Sequence, residues 1–284
     1  MTQIKEIGSL CPVDEEGYIV SQSDLNKINN KFHEVIQLIN ECCLSVLQKE
    51  IHSIYLRGSV PRGLEIEGVS DVDAIIITYS NPQELDLDWV EVTEQFINQK
   101  FPFINGVELA FYPLSEIEDS KRYCSMIPFI LKVYGICVYG GNLIGNLPNY
   151  KPDSALANEH LIHLASLIDR ARHDLEGNDD IEDIRDCCSW IMRSIVRAGL
   201  ALVIVQEQAY TRDLFPAFKL FSRHYPEKEQ EMRTALWYAI NPLSNPEEIL
   251  EFLEHLGNWI KEEADNWLKV YNPTRELHLP LFEK

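Results

Sequence analysis

Two aspartates one residue apart, Asp71 and Asp73, open a run of pure hydrocarbon, Ala74-Ile75-Ile76-Ile77. The β-branched content of that run predicts a strand. Strand side chains alternate between faces, so Asp71 and Asp73 share one face while Val72 and Ala74 take the other. Two carboxylates so placed repel each other and cost stability unless a cation sits between them. Hard oxygen donors, completed by substrate phosphates, describe Mg²⁺. Upstream, a second apolar run, Ile54-Tyr55-Leu56, ends at Arg57-Gly58-Ser59. A glycine lets backbone approach a ligand closely. Consecutive N–H groups in such a turn, with the Ser59 hydroxyl, can cradle phosphate oxygens. One short segment therefore offers a phosphate seat and a metal seat. Arg57 and Arg62 flank the phosphate seat. Each either reaches a triphosphate with its guanidinium fork or pairs with Glu65, Glu67 or another surface carboxylate.

The elements that must position these residues follow from periodicity. Ser23 reads as the N-cap of a helix that runs to about Lys49, with Ile28, Phe32, Val35, Ile36 and Ile39 at helical spacing. The two strands of the segment begin at Ile51 and Val72. An amphipathic helix is expected over 84–101, with Leu87, Val90, Val92, Phe96 and Ile97 facing the core. Asn105-Gly106 turns the chain into a strand around Val107 to Phe111. Ser115 caps a further helix that runs on towards Val133, with Glu116 and Glu118 complementing its dipole. After the apolar run Ile136 to Tyr139, the Gly-, Asn- and Pro-rich stretch 140–152 is the domain boundary. Helices are expected near 153–175, 180–208, 212–224, 227–240 and 246–271, a bundle of the ordinary kind. The fold class is α+β: a mixed sheet with flanking helices over 1–145, then a helical domain over 146–284.

Composition narrows the function. The chain has 284 residues with 25 basic and 45 acidic side chains, a net charge of −20. A surface that acidic repels a nucleic-acid backbone and argues against a nucleic-acid acceptor. It suits a cationic small molecule or a protein partner. No apolar run of about 20 residues is expected to cross a membrane, and no secretory signal is visible. Seven cysteines, including Cys42-Cys43 and Cys187-Cys188, show no metal spacing and read as reduced, mostly buried thiols of a cytoplasmic protein. His160, His163, His173 and His224 lie on expected helices without metal-ligand spacing.

Gly58-Ser59, a connection, then Asp71-x-Asp73 in hydrophobic surroundings resembles the signature of the DNA polymerase β-like nucleotidyltransferase superfamily. The resemblance covers roughly residues 50–115. That family's pattern adds a third acidic residue on a later strand, and Glu108, within Val107-Glu108-Leu109-Ala110-Phe111, matches it. The resemblance implies a metal-dependent transfer of a nucleotidyl group from a nucleoside triphosphate. Asp71, Asp73 and Glu108 would be the catalytic and metal-holding set. Glu108 would serve either as a ligand or as the base for the incoming hydroxyl. Gly58, Ser59 and Arg62 would orient the triphosphate.

Residues 185–242 are similar to the C-terminal helical domain of bacterial aminoglycoside nucleotidyltransferases of the streptomycin/spectinomycin type. In that family an arginine on one helix, and a basic residue opening the next, reach the nucleotide phosphates. Arg197 and Arg212 match them, and Tyr238 matches a tyrosine near the nucleotide. The family's acid and histidine that contact the antibiotic are replaced here by Cys187 and Trp190, with Asp183 and Asp186 nearby. Transferase chemistry therefore carries over better than antibiotic specificity. The leading expectation is a Mg²⁺-dependent adenylyltransferase that uses ATP to modify a hydroxyl of a small-molecule acceptor, aminoglycoside-like antibiotics being the favoured class. The alternatives are an antitoxin-like enzyme that modifies a protein partner and a nucleotide-binding module without turnover. The oligomeric state stays open.

Overall fold

The two apolar runs that flank Gly58 both become strands, β1 (Ile51–Arg57) and β2 (Val72–Thr78). With β3 (Val107–Pro113) and β4 (Ile136–Gly140) they form a four-stranded sheet in the order β3-β2-β1-β4. The structure is a computed structural model that describes residues 6–119 and 122–281. β1 runs antiparallel to both β2 and β4, whereas β2 and β3 are parallel. A parallel pair needs a crossover, and helix α2 (Trp89–Lys100) supplies it. Ile54, Leu56, Ala74, Ile76 and Leu109 line one sheet face and share a core with Val35 and Ile39 of helix α1 (His33–Leu47) and with Ile97 of α2. Asp73 belongs to the opposite face by alternation.

Strand register does the positioning. Arg57 lies opposite Asp73 across the β1–β2 ladder, and Asp73 lies opposite Glu108 across the β2–β3 ladder. Directly opposed residues point to the same face. Arg57, Asp73 and Glu108 therefore form a single row across three strands.

Several helix boundaries differ from the sequence expectation, each for a local reason. Ser23 caps no helix. Its hydroxyl donates to the Tyr134 carbonyl at 2.9 Å. Short 3-10 turns capped by the Asp24 and Asn29 side chains precede α1, which starts only at His33. The expected helix over 84–101 begins at Trp89. Its Val92 and Phe96 are 67% and 51% exposed, so only Ile97 of the five proposed core residues is fully buried. The helix expected from Ser115 to Val133 is two helices, α3 (Leu114–Asp119) and α4 (Met126–Tyr134). Pro128 explains the restart. Its ring is tolerated in the first turn of a helix but would clash with the preceding turn inside one. Residues 120–121 of that expected helix, and residues 1–5 of the expected N-terminal arm, lie outside the described residues.

The chain divides into two compact units, Ile19–Asn149 and a second drawn from 1–18 and 150–284. The described part of the arm, residues 6–18, thus belongs with the helical unit, whereas the sequence expectation placed it with the sheet over 1–145. Its bonds show why. The Cys11 N–H donates to the Tyr210 carbonyl at 2.8 Å. The Thr211 hydroxyl donates to the Ser9 carbonyl at 2.7 Å, and the Ser9 N–H donates to the Asp213 carboxylate at 2.9 Å.

The helical unit is built around α7 (Ile181–Glu207). Packed with it are α5 (Ser154–Leu161), α6 (Leu164–Leu175), α8 (Leu214–His224) and α9 (Glu229–Ile240). The chain closes with α10 (Pro246–Phe252), a π-helical turn over Leu253–Gly257, and α11 (Asn258–Tyr271). Contrary to expectation, α7 is long and apolar enough to cross a membrane by composition, with an 18-residue window of mean hydropathy 1.7. Two-thirds of that window is buried inside the unit, the pattern of a central core helix.

Ile76 is wholly buried at the middle of β2. Ile76→Ala should therefore cost about 2–5 kcal/mol, seen as a lower urea midpoint. A midpoint equal to that of the wild type would contradict this packing.

Candidate active site

Gly58 ends β1 with φ +90°, a backbone conformation that side-chain-bearing residues rarely adopt. A Cβ at this position would also lie 2.7 Å from Asp73 Oδ2. Glycine is thus required twice, by the turn and by the carboxylate resting against its Cα. Ser59 follows in the right-handed region and opens a 3-10 turn over Val60–Arg62, which Gly63 terminates. The Ser59 carbonyl accepts from the N–H groups of Arg62 and Leu64, both at 3.1 Å, while its side chain caps nothing in that turn. A positive-φ glycine followed by a right-handed residue is the kind of turn from which an anion-binding nest is built.

Beside the nest lies the charged row. Arg57 Nη2 donates to Glu108 Oε2 at 3.0 Å, and Arg57 Nη1 lies 3.3 Å from Asp73 Oδ2. Asp73 is buried, whereas the Glu108 side chain is 61% exposed. Burial is the main cause that pushes the Asp73 carboxyl up, to about 7. Arg57 pulls it down, and the neighbouring charges of Asp71 and Glu108 push it up again. The Asp73 and Glu108 carboxyls are themselves within hydrogen-bonding reach. Asp71 sits exposed just before β2 and acts on Asp73 through its charge. A further carboxylate, Glu94 of α2, accepts the Leu109 N–H at 2.8 Å and so pins β3 next to Glu108. Burial raises its pKa, and the Leu109 bond offsets part of that rise.

Asp73 and Glu108 are brought together, with Asp71 exposed just before the strand, but a guanidinium already engages both. Arg57 pairs with Asp73 and Glu108, not with Glu65 or Glu67. Glu67 pairs instead with Lys31. Arg62 lies over the Tyr134 ring at 5.6 Å. Among the described residues, no three His, Cys, Asp or Glu side chains stand ready-placed around one metal position. The donor set is nonetheless all oxygen, the chemistry that suits Mg²⁺. The formal charges, three carboxylates less one guanidinium, leave −2, which one divalent ion offsets. The residues fit such an ion in type and charge, with Arg57 as the cation that stands in for it.

The helical unit gathers its own basic residues. His160 Nε2 lies 2.9 Å from the Tyr210 hydroxyl, with the two rings stacked at 5.8 Å. Burial first, then the charges of Arg212 and Arg197, push the imidazole pKa down, so His160 is neutral. Burial pushes the Tyr210 phenol up to about 12. Arg197 and Arg212 thus share one neighbourhood around an uncharged pair. Tyr238 lies apart on α9, edge-on to Phe252 at 5.4 Å.

Residues 36–138 match the family model described as "Nucleotidyltransferase domain". The matched stretch contains Gly58, Ser59, Asp71, Asp73 and Glu108. That stretch is similar to a nucleotidyltransferase domain, and the match supports an enzyme of that kind. No curated protein matches the chain. Among solved structures, spectinomycin adenyltransferase AAD(9) from Enterococcus faecialis, with ATP and spectinomycin, is similar at 14% identity. The match covers 82% of this chain and 99% of that one, with a TM-score of 0.41.

A pH dependence follows from Asp73. Its folded pKa, about 7, lies above the ordinary 3.8, so the fold prefers the protonated carboxyl. Its contribution to stability is full below 3.8 and is lost as pH rises through about 7. In chelator, thermal unfolding should show wild-type stability falling across that window, and Asp73→Asn should lack that part of the fall. Parallel pH profiles for the two proteins would contradict the assignment. Gly58→Ala should cost about 1–2 kcal/mol from the backbone alone, with a further loss from the Asp73 contact. An unchanged urea midpoint would show that the turn relaxes freely.

Proposed function

We propose that this enzyme is a Mg²⁺-dependent adenylyltransferase that moves AMP from ATP to a hydroxyl of a small molecule. The observation that carries the reading is the row Arg57–Asp73–Glu108 beside the Gly58–Ser59 nest, inside a nucleotidyltransferase domain. The nest N–H groups and the Ser59 hydroxyl would hold phosphate oxygens and fix the α-phosphorus for in-line attack, and orientation is a large share of the rate in such chemistry. Asp71 and Asp73 would hold the cation. Mg²⁺ there would polarise the phosphate oxygens and offset the charge that develops on them. Glu108 is the most open of the buried row's carboxylates and the one an acceptor can reach. It would take the proton from the attacking hydroxyl or complete the cation's ligands.

Roles for Arg197, Arg212 and Tyr238 at the nucleotide belong to the same proposal. They are supported by the resemblance of residues 185–242 and by the shared basic neighbourhood of the two arginines. Aminoglycoside-like antibiotics are the proposed acceptor class, since a chain of net charge −20 suits a cationic substrate.

Incubation with labelled ATP, Mg²⁺ and an aminoglycoside panel tests this reading. Label on a drug with release of pyrophosphate is the expected result. Label on a co-purified protein would move the acceptor to a protein side chain, and nucleotide binding without pyrophosphate would end the enzymatic reading. Asp73→Asn should fold and bind acceptor yet lose at least about a hundredfold in turnover. Turnover within a few-fold of wild type would contradict the site.

A further inference from the structure

Arg57 is the unexplained member of the charged row. It is the last residue of β1, four-fifths buried, and register fixes it directly opposite Asp73. One nitrogen meets Asp73 and another meets Glu108. It therefore engages, by charge and by contact, two carboxylates that a divalent cation would draw on. Without Arg57, Asp73 and Glu108 would face each other with no cation between them, and that pair would attract free Mg²⁺. With Arg57 in place an arriving ion meets a positive charge at contact range.

We propose that Arg57 is a built-in counter-cation that keeps Asp73 and Glu108 from taking a divalent ion until a nucleoside triphosphate arrives and draws the guanidinium onto its phosphates. The inference rests on the transferase reading above and adds the order of loading to it. The chemistry is that of the guanidinium. Its planar fork suits phosphate as well as carboxylate, so it can exchange one for the other without losing its charge or its bidentate geometry. Gly58 makes the exchange local, because the phosphate nest begins at the very next residue. Arg57 is thus a positioning residue for the cation.

The test titrates Mn²⁺ alone into the full-length protein and counts free Mn²⁺ by electron paramagnetic resonance. Arg57→Gln should bind Mn²⁺ about tenfold more tightly than wild type, since a full unit charge at contact distance is removed. Arg57→Lys, which keeps the charge, should stay within about threefold. Equal affinities for wild type and the Gln variant, or weaker binding by the Gln variant, would overturn the inference. A measurement on the wild type covers the case of a variant that does not fold. The Arg57 side-chain ¹⁵N resonance should stay in place with Mg²⁺ alone and move when Mg²⁺ and a non-hydrolysable nucleoside triphosphate are added together. Movement with Mg²⁺ alone would overturn the inference. Pyrophosphate release separates the two claims. Equal Mn²⁺ affinities with release intact would remove the loading order and leave the transferase. The expected affinities with no release for any acceptor would remove the transferase and leave Arg57's control of the cation.

Discussion

One guanidinium shared between two carboxylates governs the geometry of this site. Asp73 is buried at the head of the hydrocarbon run Ala74–Ile77, where an uncompensated charge costs far more than a surface one. Arg57 offsets that cost only partly, for burial still pushes the Asp73 carboxyl up to about 7. The site is therefore electrostatically unfinished. It holds more negative charge than its one arginine balances, and its central carboxylate, Asp73, is too buried for water to screen well. Such a position gains from any further cation, which ties the stability of the sheet edge to its chemistry.

The rest of the sheet exists to keep that row in line. β1 pairs with both β2 and β4, so the strand that carries Arg57 is held from both sides up to Leu56, and Arg57 itself by β2. Glu94 fixes β3 from the outside by taking a backbone N–H that an edge strand would otherwise leave to solvent. Gly58 lets the chain turn sharply at the point where a side chain would strike Asp73. In the other unit, the N-terminal arm grips the Tyr210–Asp213 turn that carries Arg212. The charged row lies on strands and Arg197 on a helix, whereas Gly58, Ser59, Asp71 and Arg212 lie on short irregular segments next to them.

Much of the site was legible from residue types alone. Asp-x-Asp before Ala74-Ile75-Ile76-Ile77 placed both carboxylates on one face, and Gly58 announced a close backbone approach. The role of Arg57 was not legible, because it depends on register. The connection from Gly58 to Asp71 is too long to fix pairing by turn type, so nothing in the sequence sets Arg57 against Asp73 in preference to Glu65 or Glu67. Helix starts were misread where a capping residue was available but unused, as at Ser23, whose hydroxyl serves Tyr134 instead. Pro128 did carry the signal that breaks the helix after Asp119, since proline belongs in a first turn. The apolar length of α7 escapes the reading because its charged residues crowd its first half, with only Arg197 and Glu207 after Val196.

The most direct measurement is a crystal structure of the protein with Mn²⁺ and a non-hydrolysable ATP analogue, with the ion located by its anomalous signal. The account predicts Mn²⁺ bound to Asp71 and Asp73, triphosphate oxygens at the Gly58–Ser59 turn, and the Arg57 guanidinium moved from Asp73 onto phosphate. A structure in which Arg57 still bridges Asp73 and Glu108, with the ion elsewhere or absent, would contradict it.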